Sequence, residues 1–333
     1  MRALTPGRGA VLLLVLALMI VAVGCGDGKG ASADTVAGVS AEQLVEDSVA
    51  RMETVDSASF VADLSLQFKG DAGKMTDPTA QALLSQGVTV HAEGSIGGDP
   101  TAADVSTSLG IAGLDLEFGL MADGDKRWIE YQGVWYVLDA KDAKAMDDQT
   151  QSGGTPTEQL KGMGLDPSGW GTEYELVGTE TLEGVEVYHV RAVADPQKLA
   201  DSLMKAVEDP KLRQQLDESG GLGQLGQGLL TPDEKQTEEL AESLEDATVD
   251  FWIGIDEPYM YKARFAASVD ASDQEGLEGA SGMARQGTVT MSAFDEPVEV
   301  EAPKKAKSFE KFMEQLLEQL FGGMLGGEKD MLF

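Results

Sequence analysis

The chain has 333 residues, of which 25 are Lys or Arg and 58 are Asp or Glu, so its formal net charge at pH 7 is −33. This acidic excess argues against a nucleic-acid-binding protein, because phosphates are bound by Lys and Arg. It argues equally against electrostatic docking on an anionic membrane surface, which depends on basic clusters. The apolar fraction of 42% is ordinary for a folded protein.

The N-terminal segment has the parts of a secretory signal. Arg2 and Arg8 form a basic start, residues 9–24 carry no charge, and small residues precede Cys25. The segment resembles a bacterial lipoprotein signal, which implies that residues 1–24 are removed and that Cys25 becomes the diacylated N-terminus. Two acyl chains anchor a protein stably. The alternative is an uncleaved anchor, but the apolar stretch is shorter than the ~20 residues of a spanning helix.

Cys25 is the only cysteine of the chain, so no disulfide within the chain competes for it. Loss of Arg2 and Arg8 with the signal takes the formal charge from −33 to −35. The covalent lipid, rather than charge, would therefore hold the protein at the outer face of the cell membrane.

A short flexible tether and an amphipathic helix are predicted next. Residues 25–39 are mostly small and polar, which is typical of a linker. Ser40 and Gln43 have the spacing of a capping box. Behind them Leu44, Val45, Val49 and Met52 fall on one helical face, so we predict a helix of about 13 residues.

Most of the remaining chain has the alternation of half-buried strands. Phe60, Ala62, Leu64, Leu66 and Phe68 repeat with a period of two, which places them on one face of a strand. Gly at 133 and 184 marks two hairpins. The predicted strands are 57–68, 88–96, 105–111, 114–120, 126–131, 134–138, 174–181, 185–194, 249–255, 259–269 and 288–294.

Helical insertions interrupt these strands near 71–86, 140–171 and 195–246, the last opening with Asp195 as N-cap and Pro196 at the first helical position. Residues 304–333 form a separate C-terminal segment, in which apolar side chains from Phe309 to Phe321 recur with helical spacing. We predict that this amphipathic helix packs on the sheet, with partner or membrane contact as the alternative. Between the tether and this segment, residues 40–303 form one domain.

Sequential hairpins predict an antiparallel sheet with one wet face. The predicted fold class is α+β, with about ten strands in a large curved half-barrel sheet that wraps on helices.

Three stretches resemble the actinobacterial LppX/LprAFG-like lipoproteins. They are the helix 41–50 followed by Ala58-Ser59-Phe60, the aromatic hairpin 128–136, and the pair formed by 249–253 and 258–262. The resemblance implies a fold similar to that of the LolA and LolB carriers, with an apolar cavity. It also implies a lipid or glycolipid ligand and transfer through the cell envelope, with an envelope transport protein as a further partner.

Five residues are candidates for lining that cavity: Leu64, Leu66, Phe118, Trp135 and Tyr188. Each of them could equally belong to the packed core, since large apolar side chains are usually buried. If the core is closed, the chain is instead a structural or interaction lipoprotein with a protein partner.

No catalytic, metal or cofactor site is predicted. The sequence Gly221-Leu222-Gly223-Gln224-Leu225-Gly226 matches a dinucleotide-binding pattern, but it lacks the preceding strand and following helix. His91 and His189 are isolated in predicted strands, where they are expected to be structural. We therefore expect a non-enzymatic protein, although a carboxylate pair of the glycosidase kind stays open at this stage.

Overall fold

The computed structural model describes residues 35–36, 38–52, 54–74, 78–97, 102–151, 172–208, 241–270 and 280–313. The predicted signal peptide, Cys25 and the glycine-rich motif at 221–226 lie outside these ranges. Most of the C-terminal segment, from residue 314 onward, also lies outside them.

Two short strands, β1 (Thr35–Val36) and β2 (Val39–Ser40), pair with each other in a small ribbon. Twelve further strands form one sheet. They are β3 (Ser57–Gly70), β4 (Val88–Gly97), β5 (Ala102–Ile111), β6 (Leu114–Asp123), β7 (Lys126–Tyr131), β8 (Val134–Val137), β9 (Glu173–Leu182), β10 (Val185–Val193), β11 (Leu244–Gly254), β12 (Met260–Asp270), β13 (Ala280–Ser292) and β14 (Lys307–Ser308).

The helices are α1 (Ala41–Met52), α2 (Pro78–Gln86), α3 (Ala140–Gln151) and α4 (Pro196–Glu208), with a 3-10 turn at Ala72–Lys74 and the start of another helix at 309–313. Two predicted caps are confirmed. The Gln43 amide donates to Ser40 Oγ at 3.2 Å, and the Lys198 amide donates to Asp195 Oδ1 at 3.0 Å. Each satisfies a backbone donor that the first helical turn leaves free.

The strand order is β14-β8-β7-β6-β5-β4-β3-β13-β12-β11-β10-β9. The strands from β3 to β8 form one meander, and those from β9 to β13 form a second. The two meanders join where β13 pairs with β3. All pairings are antiparallel except that of β14 with β8. The predicted antiparallel sheet is confirmed, with twelve strands rather than about ten.

Two strand boundaries differ most from the prediction. β13 begins at Ala280, eight residues before the predicted start, and β11 begins at Leu244 rather than at 249. The early part of β13 is Ala-Ser-Gly-Met-Ala-Arg-Gln-Gly, which lacks the β-branched residues that identify strands. It is extended because β12 and β3 pair with it from both sides.

The predicted tether also differs at its C-terminal end. Thr35 pairs with Ser40 and Val36 with Val39, with Gly38 in the connecting turn at a φ of 86°. The last residues before α1 are therefore held in a ribbon. The preceding residues, 25–34, lie outside the described ranges.

Candidate functional site

One side of the sheet carries mostly apolar side chains, and we call it the apolar face. Residues paired across antiparallel strands point to the same face. The central row of paired residues is Val249, Phe265, Gly287, Leu64, Val90, Leu109 and Leu116. A neighbouring row is Phe251, Ala263, Val289, Ala62, Ala92, Thr107, Phe118, Tyr131 and Val134.

Helix α1 packs on one end of the apolar face. Ala41 and Val45 are buried in a cluster with Phe251 and Ile253 of β11. The helical spacing of the apolar residues explains this contact. The apolar stripe of α1 faces β9 to β12, while most of its charged residues point outward.

The C-terminal segment packs on the other end. Phe312 is only 7% exposed and lies against Tyr131 and Tyr136, with ring centroids 5.8 and 5.4 Å apart. Phe309 stacks on Phe312 at 5.5 Å. The expected packing of this segment on the sheet is therefore confirmed for the residues that the structure describes.

Between these two ends, the core cluster consists of strand residues only, within the described part of the chain. Its buried members are Ala62, Leu64, Val90 and Ala92. The apolar side chains around them are only half-buried, namely Phe60, Leu66, Phe68, Val88, Leu109 and Leu116. The middle of the apolar face is therefore a partly open apolar surface.

Four of the five predicted cavity residues lie on this face. Leu64 and Leu66 are in its middle, and Leu64 is part of the buried cluster. Phe118 lies toward the C-terminal segment and stacks on Tyr131 at 5.4 Å. Tyr188 pairs with Ile253 and so lies near α1. The structure thus brings Leu64 and Leu66 together but spreads the other two toward the ends.

Trp135 lies on the opposite, polar face. It pairs with Glu130, whereas Tyr131 pairs with Val134 on the apolar face. The hairpin explains the difference, because Gln132 and Gly133 form a two-residue turn with φ values of 49° and 76°. The residues that flank such a turn share a face, so Tyr136 points to the apolar face and Trp135 does not.

A cluster of polar side chains joins the end of α1 to the sheet, and we call it the α1 clamp. The Arg51 guanidinium donates to the Tyr259 hydroxyl and lies 3.1 Å from Asp295 Oδ2. Tyr259 donates to the same oxygen at 2.9 Å, and the Asp56 amide donates to Asp295 Oδ1 at 2.8 Å. Phe294 stacks on Tyr259 with centroids 4.3 Å apart.

These contacts shift the pKa values of Asp295 and Tyr259 in opposite directions. Hydrogen bonds from the Asp56 amide and then from Tyr259 hold the pKa of Asp295 below its usual range, because they favour the carboxylate. The hydrogen bond to Asp295, followed by burial, raises the pKa of Tyr259 to about 12. The clamp therefore holds its hydrogen bonds through the neutral pH range.

The polar face carries a second cluster around His189. Its Nδ1 lies 3.0 Å from Glu180 Oε1 and its Nε2 lies 2.9 Å from Asp250 Oδ1. Trp252 stacks on the imidazole at 4.5 Å and donates to Glu180 at 2.7 Å. Both ring nitrogens already have partners, so this histidine joins β9, β10 and β11 rather than presenting a nitrogen to a substrate.

Two clefts lie on the polar face. One, of about 520 Å³, is lined by polar and charged groups that include Ser95, Asp104 and Glu296. The other, of about 330 Å³, contains His91, whose Nδ1 lies 2.8 Å from Asp63 Oδ1. The lining of the first cleft suits polar groups, so that cleft does not supply the apolar volume that an acyl chain requires.

Among the residues that the structure describes, no helix has the length and apolar character needed to cross a membrane. The apolar run at 9–24 and the lipidation candidate Cys25 lie outside the described ranges, so lipidation of Cys25 stays a prediction.

Comparison with solved structures returns two mycobacterial lipoproteins and a lipoprotein-sorting domain among its matches. The lipoprotein LppX of Mycobacterium tuberculosis matches at 14% identity and a TM-score of 0.34, over 78% of this chain and 96% of that one. LprF of Mycobacterium bovis matches at 12% identity and a TM-score of 0.35, over 79% and 96%. A putative outer membrane lipoprotein-sorting protein domain of Vibrio parahaemolyticus matches at 9% identity and a TM-score of 0.20. The match covers 83% of this chain and 97% of that one.

No protein-family model and no curated protein matches the chain. The structural overlap is too small to transfer a ligand, a partner or a residue role to this chain.

Proposed function

We propose that this chain is a membrane-tethered, non-enzymatic lipoprotein of the LppX/LprAFG-like kind, which binds a lipid on the apolar face of its sheet. Cys25 would hold it at the extracytoplasmic surface of the cell membrane. The bound lipid would be carried or presented to an envelope transport protein.

The observation that carries this proposal is the half-open middle of the apolar face. A soluble domain ordinarily buries such a surface, since exposed apolar patches of this kind mark binding sites. Here Leu66, Val88 and Leu109 remain half-buried between α1 and the C-terminal segment. Covering them with an acyl chain would stabilise the complex by roughly 25 cal/mol for each Å² removed from water.

The sequence provides independent support, because the lipoprotein signal would place the protein next to its ligand. The acidic composition of the chain fits this role as well. With a formal charge of −33, the protein is repelled by anionic headgroups unless a local contact compensates. Stable membrane attachment would therefore depend on the acylated cysteine.

A native mass spectrum of the protein purified from its own host, under conditions that preserve noncovalent complexes, tests this proposal. We expect a mass excess over the lipidated chain that is lost on mild organic extraction and that identifies a lipid. A protein that carries only its covalent lipid, and that does not bind added palmitate or diacylglycerol after extraction, would contradict the proposal.

A further inference from the structure

The apolar face contains one charged side chain within the three rows that cross its middle. The third row is Ala247, Ala267, Arg285, Leu66, Val88, Ile111 and Leu114. Arg285 pairs with Leu66 on one side and with Ala267 on the other, so its neighbours across the sheet are apolar. Arg285 was not among the predicted site residues, because the predicted strand began only at residue 288.

Arg285 has no carboxylate partner among the residues that the structure describes. Its guanidinium lies over the Phe265 ring, with its central carbon 5.2 Å from the centroid. Burial lowers the pKa of Arg285, and within the described ranges no acidic side chain opposes that effect. This is unusual in a chain with 58 acidic residues, because desolvated charges are ordinarily paired.

The position of the guanidinium is itself maintained by the fold. Gly287 lies beneath the Phe265 ring, since a Cβ atom added there would come within 2.3 Å of that ring. The missing side chain lets Phe265 lie flat on β13 and support Arg285. A planar guanidinium on an aromatic ring keeps its hydrogen-bond donors free at its edge, where they match a carboxylate or a phosphate.

We propose that Arg285 binds the anionic headgroup, a carboxylate or a phosphate, of the lipid whose acyl chain lies on the apolar face. This inference rests on the proposed lipid-binding function. Along β13, Arg285 and Met291 are separated by about 20 Å at ~3.4 Å per residue. The headgroup would lie near Leu66 and the acyl chain would run toward Phe60.

The test compares ligands that share a chain but differ in charge. Purified full-length protein, extracted to remove bound lipid, is titrated with palmitate and with hexadecanol. A parallel pair, phosphatidic acid and diacylglycerol with the same chains, separates a phosphate headgroup from a carboxylate. The variants are Arg285→Gln and Arg285→Lys, and the control is Arg264→Gln, which removes an arginine of β12 from the polar face.

We expect Arg285→Gln to weaken binding of one anionic ligand by about tenfold or more, the effect typical of a lost charge-assisted hydrogen bond. Binding of its uncharged counterpart should stay the same. Arg285→Lys should lose less affinity for that ligand, because lysine keeps the positive charge. It should still bind more weakly than the native protein, because it lacks the planar guanidinium. Arg264→Gln should change neither. The anionic ligand that loses affinity identifies the headgroup.

Three outcomes separate the two proposals. Equal losses for charged and uncharged ligands, or no loss for either anion, would overturn the role of Arg285 while leaving lipid binding intact. No binding of any of the four lipids to the unchanged protein would overturn the proposed function itself. A lower melting temperature of Arg285→Gln together with unchanged selectivity would assign Arg285 a purely structural role. We expect no such fall, since no carboxylate in the described part of the chain loses a partner.

Discussion

At the scale of single residues, the α1 clamp makes stability depend on pH. The folded pKa of Asp295 lies below its usual value because the Asp56 amide and Tyr259 donate to its carboxylate. Such a group stabilises the fold above its unfolded pKa, near ~3.9, and the stabilisation is lost as the pH falls toward the folded pKa. Tyr259 behaves in the opposite sense, and its contribution is lost as the pH rises from about 10 toward about 12.

In the Asp295→Asn variant, the free energy of unfolding should therefore depend less on pH in the acid range. Urea titrations at a series of pH values should show a smaller difference between the variant and the native protein at about pH 3 than at pH 7. An Asp63→Asn variant serves as the control, because Asp63 is exposed on the polar face and is not part of the clamp. A difference that stays constant with pH would contradict the role of Asp295 ionisation.

Leu66 is the residue whose enlargement should most directly affect ligand binding. It is half-buried in the middle of the apolar face, so Leu66→Trp fills space that the acyl chain would occupy. We expect palmitate affinity to fall by about tenfold, while thermal stability changes little because the site is partly open. Val61→Trp is the matched control, since Val61 is 40% exposed on the opposite face of the same strand.

The same scale shows how far residue positions can be read from the sequence. Alternation in β3 placed Leu64 and Leu66 correctly, because a period of two leaves only one choice of face. Trp135 was a candidate for the cavity lining, but the hairpin places it on the face opposite to Leu64 and Leu66. Counting outward from the turn at Gln132-Gly133 would have assigned Tyr136 instead.

At the scale of elements, the connection from α2 to β4 depends on Gly87. Its amide donates to the Leu83 carbonyl at 2.8 Å and its φ is 69°, as expected for a residue that ends a helix. A Cβ atom there would come within 2.3 Å of the Leu66 carbonyl oxygen, which is backbone and has little freedom to move.

Gly87→Ala should therefore reduce the free energy of unfolding by more than the strain of the left-handed conformation alone. That strain accounts for about 1–2 kcal/mol. We expect a total loss of roughly 3 kcal/mol or more in the free energy of unfolding, measured by urea titration. Gly124→Ala is the control, because Gly124 has a φ of 55° but open space around it. Equal losses in the two variants would show that the contact with Leu66 has no effect.

Elements whose own sequence carries a cap or a regular apolar pattern were predictable. Segments that are extended only because neighbouring strands pair with them were not. The capping box at Ser40 and the apolar stripe behind it were sufficient to predict α1, which begins one residue after Ser40. The early half of β13 has no such signal, because its extended form is imposed by β12 and β3. For that reason Arg285, which lies in this half, was absent from the predicted site.

At the scale of the whole molecule, the charge of −33 should reduce stability through self-repulsion. Raising the NaCl concentration from about 0.01 M to about 1 M shortens the screening length from ~30 Å to ~3 Å. We expect the melting temperature at pH 7 to rise over this range. Near the isoelectric point of about 4.2, the same change should have much less effect. A melting temperature that falls with salt at pH 7 would contradict this expectation.

The join between β3 and β13 has a consequence for how the sheet is completed. Gly70 and Ala280 pair there although 210 residues separate them in the chain. Each meander is assembled from neighbouring hairpins, whereas this ladder must bring distant segments together, which is entropically costly and slow. During synthesis β3 emerges first and keeps an open edge until β13 arrives. The two meanders are therefore joined only when β13 arrives, and a circular permutant in which β13 precedes β3 should fold faster than the natural order.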